Sequence, residues 1–313
     1  MHIPFTQTKE YLGWHEASGT KTFYREFFTK NDPEKVLIAT ATFVVTQLRI
    51  GKVLYCPYGP VFYIEPKKEE LKNIFKEIKD LAEEENCVFV RMEGGKVFAN
   101  DGIWQPRVEW WLDITESEEE ILNRIHKDHK YSIRRAQKEN IEVEIVSHNL
   151  HDYFEKFWKL MQVTSARDEF SLYNENYYKQ IFKSGNEVHE HELKKFLVFT
   201  KLGGEYLSVA LIVAKDKVAN LVFAGSVSER REFGFNHLMQ WSAILEAKKH
   251  ACEIYNFGGI SENIDGRNYG KRSLIGVTNF KKKFGGYAKF HGDFLDIPVQ
   301  KFKYYLYIIK KFF

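Results

Sequence analysis

Apolar and polar positions alternate along this chain in two registers, and their order of appearance occurs twice. Residues 36–46 and 52–56 alternate on a two-residue period around a short polar turn and are rich in β-branched side chains. That pattern predicts paired strands. Residues 67–86, KKEELKNIFKEIKDLAEEEN, change to helical spacing, with Leu71, Ile74, Phe75, Ile78 and Leu81 along one face. The run CVFVRMEGG (87–95) predicts another strand. The second occurrence has strands near 194–214 and 218–225, a helix near 235–251 and the strand IYNFGGI (254–260). Each closing strand carries a Gly-Gly pair, Gly94-Gly95 and Gly258-Gly259. The repeat is one of pattern rather than of letters. It predicts an α/β (α+β) protein of two similarly built units, each a mixed sheet flanked by helices.

Between the two occurrences the spacing predicts helices over 117–126 and 128–139, the strand EVEIV (142–146), and helices over 150–165 and 174–184. The stretch PVQKFKYYLYIIKKFF (298–313) reads as a short aromatic and basic helix. No long charged heptad segment is present, so no coiled-coil arm is expected.

A length of 313 residues with 44% apolar residues fits two domains with sizeable cores. Basic and acidic residues number 46 and 43, a net charge of +3, so any polyanion site must come from a local cluster. Cys56, Cys87 and Cys252 show no metal-ligand or redox spacing, which fits a reducing compartment, with Cys87 and Cys252 packed as small hydrophobes. The first residues, MHIPFTQTKE, lack the pattern of a signal peptide. No apolar run approaches the ~20 residues of a membrane span, so a cytoplasmic protein is expected. His15, His126, His129, His189 and His191 show no metal spacing, and no metal is expected.

Five segments can carry chemistry. In HKDHKYSIRRAQKEN (126–140), Lys127, Lys130, Arg134 and Lys138 fall at helical steps with Arg135 beside them. This is either a solvated face or a seat for phosphates. REFGFN (231–236) nearly fits the loop that holds coenzyme A pyrophosphate in GNAT acetyltransferases, but Asn236 replaces the final small residue. In TSARDEF (164–170), Arg167 suits a carboxylate or phosphate and Asp168 could orient it; a local ion pair is the plainer reading. YCPYGPVF (55–62) is a rigid turn of a kind that can shape a binding cleft. In FKKKFGG (280–286), three lysines lie between phenylalanines. That is either a solvated lysine run or a place where one ammonium is desolvated and fixed, as oxyanion stabilisation requires.

Together the chain resembles the Fem-type aminoacyltransferases (FemABX), which extend the stem peptide of peptidoglycan precursors. The matching stretches are YGPV (58–61), WLDI (111–114) with HKDHKYSIRR (126–135), TSARDEF (164–170), FAGSVSE (223–229), HLMQWSAI (237–244), YNFGGI (255–260) and FKKKFGG (280–286). They occur in order from about residue 50 to 291. The resemblance implies two GNAT-like domains, 1–146 plus 292–313 and 147–291, with the C-terminal helix packing back on the first. It implies an aminoacyl-tRNA donor, no cofactor, and an amine acceptor on a UDP-linked or lipid-linked muropeptide. The amine attacks the ester directly.

By the same resemblance Lys281 neutralises the tetrahedral oxyanion and Phe280 positions the reacting groups. Lys30, Tyr58, Arg167, Asp168, Phe223 and Gly258 become candidates for substrate contacts, and Lys127, Lys130, Arg134, Arg135 and Lys138 for tRNA contacts. The general base is open among Asp113, Asp168 and the substrate itself. A monomer is expected, with peripheral contact to a membrane surface through the C-terminal helix.

Two departures stand out. The family's Gln-Ser-x-x-Trp signature is replaced by GTKTFYREF (19–27), and Phe223 stands where a tyrosine is usual. Competing readings are a GNAT-type N-acyltransferase using acyl-CoA and a non-enzymatic RNA- or membrane-surface-binding protein.

Overall fold

The computed structural model describes residues 2–30, 34–97, 107–183, 193–264, 267–270 and 274–312. The first elements are α1 (Lys9–Ala17), β1 (Thr22–Phe28), β2 (Leu37–Leu48), β3 (Gly51–Cys56), β4 (Val61–Phe62), α2 (Lys68–Glu84) and β5 (Cys87–Val97). Next come β6 (Val108–Asp113), α3 (Glu118–Arg124), α4 (Lys127–Lys138), β7 (Glu142–Val146), α5 (Phe154–Asp168) and α6 (Glu175–Lys183). β8 (Lys194–Leu202), β9 (Glu205–Lys215), β10 (Val218–Ser226), α7 (Phe235–Lys249) and β11 (Ile254–Gly259) follow. The last are β12 (Glu262–Ile264), β13 (Arg267–Tyr269), α8 (Ile275–Lys282), β14 (Tyr287–Phe290), β15 (Phe294–Pro298) and α9 (Lys301–Phe312).

These elements form two compact units. A terminal unit takes Ile3–Arg107 and His291–Phe313; a central unit takes Val108–Phe290 with Met1–His2. The chain therefore divides at 107/108, not at 146/147 as the sequence alone suggests. Strand pairing is the reason. β6 lies antiparallel between β11 and β14, and β7 runs along β8, so residues 108–146 are tied to the central sheet. Sequence order hides this because β6 pairs with strands far downstream.

The repeat expected from the pattern is present. The terminal sheet has order β1-β2-β3-β5-β15, with β3 and β5 parallel and α2 as the crossover between them. The central sheet has order β14-β6-β11-β10-β9-β8-β7, with β10 and β11 parallel and α7 as the crossover. A parallel pair needs such a helical connection, which explains the change of period in each half. α2 starts where the Glu70 carboxylate accepts the Lys67 N–H at 2.7 Å, and it buries Ile74, Ile78 and Leu81, the face its spacing marks. α7 is apolar on nearly all sides and contributes Phe235, Leu238, Met239 and Ile244 to the central core.

The aromatic helix α9 packs on the terminal unit. Its Tyr304 and Tyr307 are buried against Phe89 of β5. Below them Arg91 makes a two-pronged bond to Asp296, at 2.7 and 2.6 Å, with both side chains fully buried. The Tyr304 hydroxyl donates to Asp296 at 3.2 Å and completes the pairing. Cys56, Cys87 and Cys252 are all buried and unbridged, in keeping with a packing role. No described helix is long and apolar enough to cross a membrane. His189 and His191 lie outside the described residues.

Candidate active site

β10 and β11 pair only from Val218↔Ile254 to Asn220↔Asn256. Beyond that point β10 is irregular between Leu221 and Phe223, and β11 shifts register on β6 between Asn256 and Gly259. The two parallel strands thus part at their carboxyl ends, the place where open α/β sheets admit ligands. From Asn220 onward Leu221 to Ala224 are half-buried although the strand is central in its sheet.

Lys281 reaches this fork from α8. Thr278 and Lys281 are the buried residues of that helix, three apart on one face. The Thr278 hydroxyl accepts the Ser261 N–H at 2.9 Å, and Lys281 Nζ donates to the Gly259 carbonyl at 2.6 Å. Gly258 has φ +76°, and a Cβ there would come within 3.9 Å of Lys281 Nζ. Glycine at this position keeps the approach to the ammonium open. Burial lowers the Lys281 pKa to about 8, and the charge of Glu109 acts in the opposite direction. Two further N–H donors remain beyond the Gly259 bond among the described residues.

The other two lysines are engaged elsewhere. Lys282 pairs with Glu262 and lies 5.5 Å from the Trp110 ring centre. Lys283 pairs with Asp128 at 2.7 Å. The choice among three adjacent lysines, open in the sequence, is made by helix geometry: one faces the sheet and two do not.

The aromatic flanks have a different place from the one expected. The Phe280 ring lies 5.0 Å from His129, 5.1 Å from His237 and 5.3 Å from Phe284. His129 Nε2 lies 2.9 Å from the Phe280 carbonyl, so that nitrogen carries the proton. Phe280 therefore fixes α8 against α4 and α7, one helical step from the face that carries Lys281. Lys281 meets β11, not a box made by its sequence neighbours.

Arg167 has close local partners. Its Nε and Nη2 hold Asp168 at 2.7 and 2.8 Å, and its Nη1 donates to the Ser226 carbonyl at 3.0 Å. It locks the end of α5 to the end of β10, where a Cβ on Gly225 would fall 2.8 Å from the Leu160 backbone. The local ion pair, the plainer reading of this segment, is present, and the same side chain ties α5 to β10. Phe223 sits on the freed half of β10 with Tyr178 at 4.9 Å, Tyr173 at 6.4 Å and Tyr177 at 6.5 Å. Its ring is flanked by three tyrosine rings from α6 and the turn before it. In the terminal unit Lys30 is paired with Glu77 at 3.0 Å. Tyr58, at φ +54°, lies with its ring 4.6 Å from that of His291. Thr6 and Gln7 clamp the preceding carbonyl of Pro57 at 3.0 and 2.6 Å, so the turn is rigid.

The basic face on α4 is real but narrower than the spacing implied. Lys127, Arg134 and Lys138 are exposed, with Tyr131 between them at 66% exposure. Lys130 is half-buried and reaches the Asn123 carbonyl at 3.4 Å. Arg135 lies over Phe233 at 5.8 Å and 3.8 Å from Glu139. Beside the start of α4 is a cavity of about 500 Å³ lined by Arg124, His126, Asn279, Lys282 and Lys283. Four of those five residues are basic or can become so.

The polar layer beneath the fork is absent from the sequence-based expectations. Asn256 Nδ2 donates to Glu109 at 2.9 Å and to Asn220 at 3.0 Å, and Trp111 Nε1 donates to Glu109 at 3.1 Å. Glu109 is the cross-strand partner of Gly259, whose carbonyl holds Lys281. A signal was available: Asn220 and Asn256 each interrupt an apolar strand, and a buried amide needs partners.

The FemAB family model matches residues 94–189 and 183–311. The chain belongs to the FemAB family. A relative from Staphylococcus haemolyticus, named Lipid II:glycine glycyltransferase, is 22% identical over 284 residues, covering 72% of this chain and 65% of the relative. The chain thus spans less than two thirds of that relative's length. The crystal structure of FemX superposes with a TM-score of 0.77 at 18% identity, covering 97% of this chain and 94% of that one. A tandem GNAT protein from the clavulanic acid biosynthesis pathway gives 0.54 at 7% identity, with 89% and 83% covered. These similarities show a mixed α/β fold shared with FemX.

In this FemAB chain both candidate carboxylates are engaged by neighbouring groups. Bonds from Thr115 hold the Asp113 pKa below the usual carboxylate value. The Arg167 guanidinium does the same for Asp168. Among the described residues no group of three or more His, Cys, Asp or Glu could hold a metal ion.

Proposed function

We propose that this FemAB protein is an aminoacyltransferase that moves an amino acid from aminoacyl-tRNA to an amine on the stem peptide of a peptidoglycan precursor. The observation that carries the reading is the buried Lys281 ammonium fixed on the Gly259 carbonyl at the fork of β10 and β11. The acceptor amine attacks the ester carbonyl carbon and a C–N bond forms. The carbonyl oxygen becomes an oxyanion, which the Lys281 N–H donors stabilise. Collapse breaks the C–O bond to the terminal ribose, and the amine's proton passes to the departing oxygen. Asp113, Asp168 and the substrates themselves are the candidates to carry that proton.

The exposed Lys127, Arg134 and Lys138 of α4 suit the phosphates of a tRNA. No cofactor is needed for this reaction. The names of the relatives favour a lipid-linked acceptor. The acyl-CoA reading is disfavoured by Asn236, which stands where the pyrophosphate loop has a small residue.

The test is transfer of a labelled amino acid from charged tRNA to UDP-linked and lipid-linked muropeptides by the purified protein. Transfer that disappears in Lys281→Ala supports the reading. Tight coenzyme A binding without such transfer would replace it by the acyl-CoA alternative.

A further inference from the structure

α9 presents two opposed faces. Tyr304 and Tyr307 are buried in the terminal unit. On the opposite side Phe302, Tyr305, Leu306 and Ile309 are exposed by 77%, 57%, 41% and 53%. Their spacing of three and four places them in one continuous stripe over two turns. Phe302 is the most exposed of the large hydrophobic residues described. Water-facing apolar side chains grouped this way mark an interaction surface, whereas scattered ones do not.

The charges around the stripe say what covers it. α9 contains no acidic residue, while its sequence carries Lys301, Lys303, Lys310 and Lys311. Lys301 and Lys303, both exposed, fall on opposite flanks of the stripe by helical rotation. A second copy of the chain would bring lysines against lysines, so charge works against self-association through α9. An anionic surface that accepts apolar side chains between its charges is complementary. The 12 described residues of the helix span about 18 Å, and no described helix is long and apolar enough to cross a membrane, which suits a helix lying at an interface.

We propose that the outer face of α9 docks the protein on an anionic lipid membrane, with Phe302, Leu306 and Ile309 entering the headgroup boundary and Lys301 and Lys303 pairing with lipid phosphates. Tyr305 suits the same boundary because its ring is apolar and its hydroxyl polar. The helix enters already folded, since the Arg91–Asp296 pair and the two buried tyrosines hold its inner face. The inference stands on the helix alone and does not depend on the reaction proposed for the central unit.

The test is flotation of the full chain with vesicles of phosphatidylcholine alone and with vesicles containing about 30% phosphatidylglycerol, enough for a moderate surface potential. The wild type is expected to float with the anionic vesicles and to bind them less at high salt. Phe302→Ser with Ile309→Ser should lose at least ~10-fold in partition with an unchanged melting temperature, because both side chains are exposed. Lys301→Gln with Lys303→Gln should lose the preference for anionic lipid. No flotation of the wild type, or equal flotation of the double serine variant, would overturn the proposal. So would a dimer in sedimentation that the serine variant dissociates, because that result assigns the stripe to a second copy. Binding of tRNA by the serine variant should remain at the wild-type level, which separates this test from that of the transferase.

Discussion

Lys281 Nζ donates to the carbonyl of Gly259 at 2.6 Å, so the ammonium is fixed by backbone and not by a carboxylate. A carbonyl partner leaves the positive charge unneutralised, as oxyanion stabilisation requires. That arrangement costs stability. With its pKa lowered from 10.5 to about 8, keeping Lys281 charged at neutral pH disfavours the fold by about 3 kcal/mol. Lys281→Met should therefore raise the melting temperature while reducing transfer by ~10²–10³-fold. Calorimetry and a single-turnover assay on the same sample check both signs. A variant that lost stability along with activity would mean that the ammonium is structural.

The pH dependence follows from the same residue. Below about pH 8 the native ammonium is protonated and its penalty is present in full. Between there and 10.5 the native state releases the proton while the unfolded chain keeps it, so stability from this site rises with pH. Activity should run the other way and fall as pH passes about 8. Glu109 favours the charged form. Glu109→Gln, which keeps an acceptor for Asn256, should move that descending limb to lower pH. Direct ¹⁵N titration of the lysine side chain gives the same shift without substrate.

Asp296→Asn should destabilise the terminal unit by ~3–5 kcal/mol, because it leaves the fully buried Arg91 without its counter-charge. Combining Arg91→Met with Asp296→Leu should recover most of that loss. Urea unfolding of the three proteins decides it. Similar losses in the single and combined variants would point to packing in place of charge.

Gly285 and Gly286 differ in what they tolerate. Gly286 has φ +103°, and its Cβ would fall 2.2 Å from the Trp111 carbonyl; Gly285, at φ +84°, has its nearest neighbour at 3.6 Å. Gly286→Ala should cost ~2 kcal/mol or more and Gly285→Ala about 1 kcal/mol. Comparison of melting temperatures tests the order. The close approach also explains the doublet: one glycine turns the chain and the next lets β14 close on β6.

On α4, removal of Lys127, Arg134 or Lys138 should lower the salt slope of tRNA binding by ~0.7–0.9 for each phosphate left unneutralised. Lys130→Gln and Arg135→Gln should change it less, because those side chains already have local partners. Affinities measured over a salt series separate the two groups. Equal slopes would disprove the division.

The sequence by itself determined the two-unit repeat, since the change from a period of two to a period of 3.6 is written into 36–95 and again into 194–260. Local preferences decide such patterns, and α2 buries the face its spacing marks. The segment 280–286 was also legible as a place of interest. Which of its lysines mattered was not, because burial of Lys281 depends on α8 lying against β11. The same holds for the domain boundary, which β6 sets by pairing with distant strands. Arg167 shows both cases. Its sequence offered a local ion pair or a substrate grip; the pair with Asp168 is present, and the bond to Ser226 forms only once α5 packs on β10. Pairings between residues far apart in sequence leave no periodic trace. They depend on which surfaces meet, and only the tertiary structure decides that.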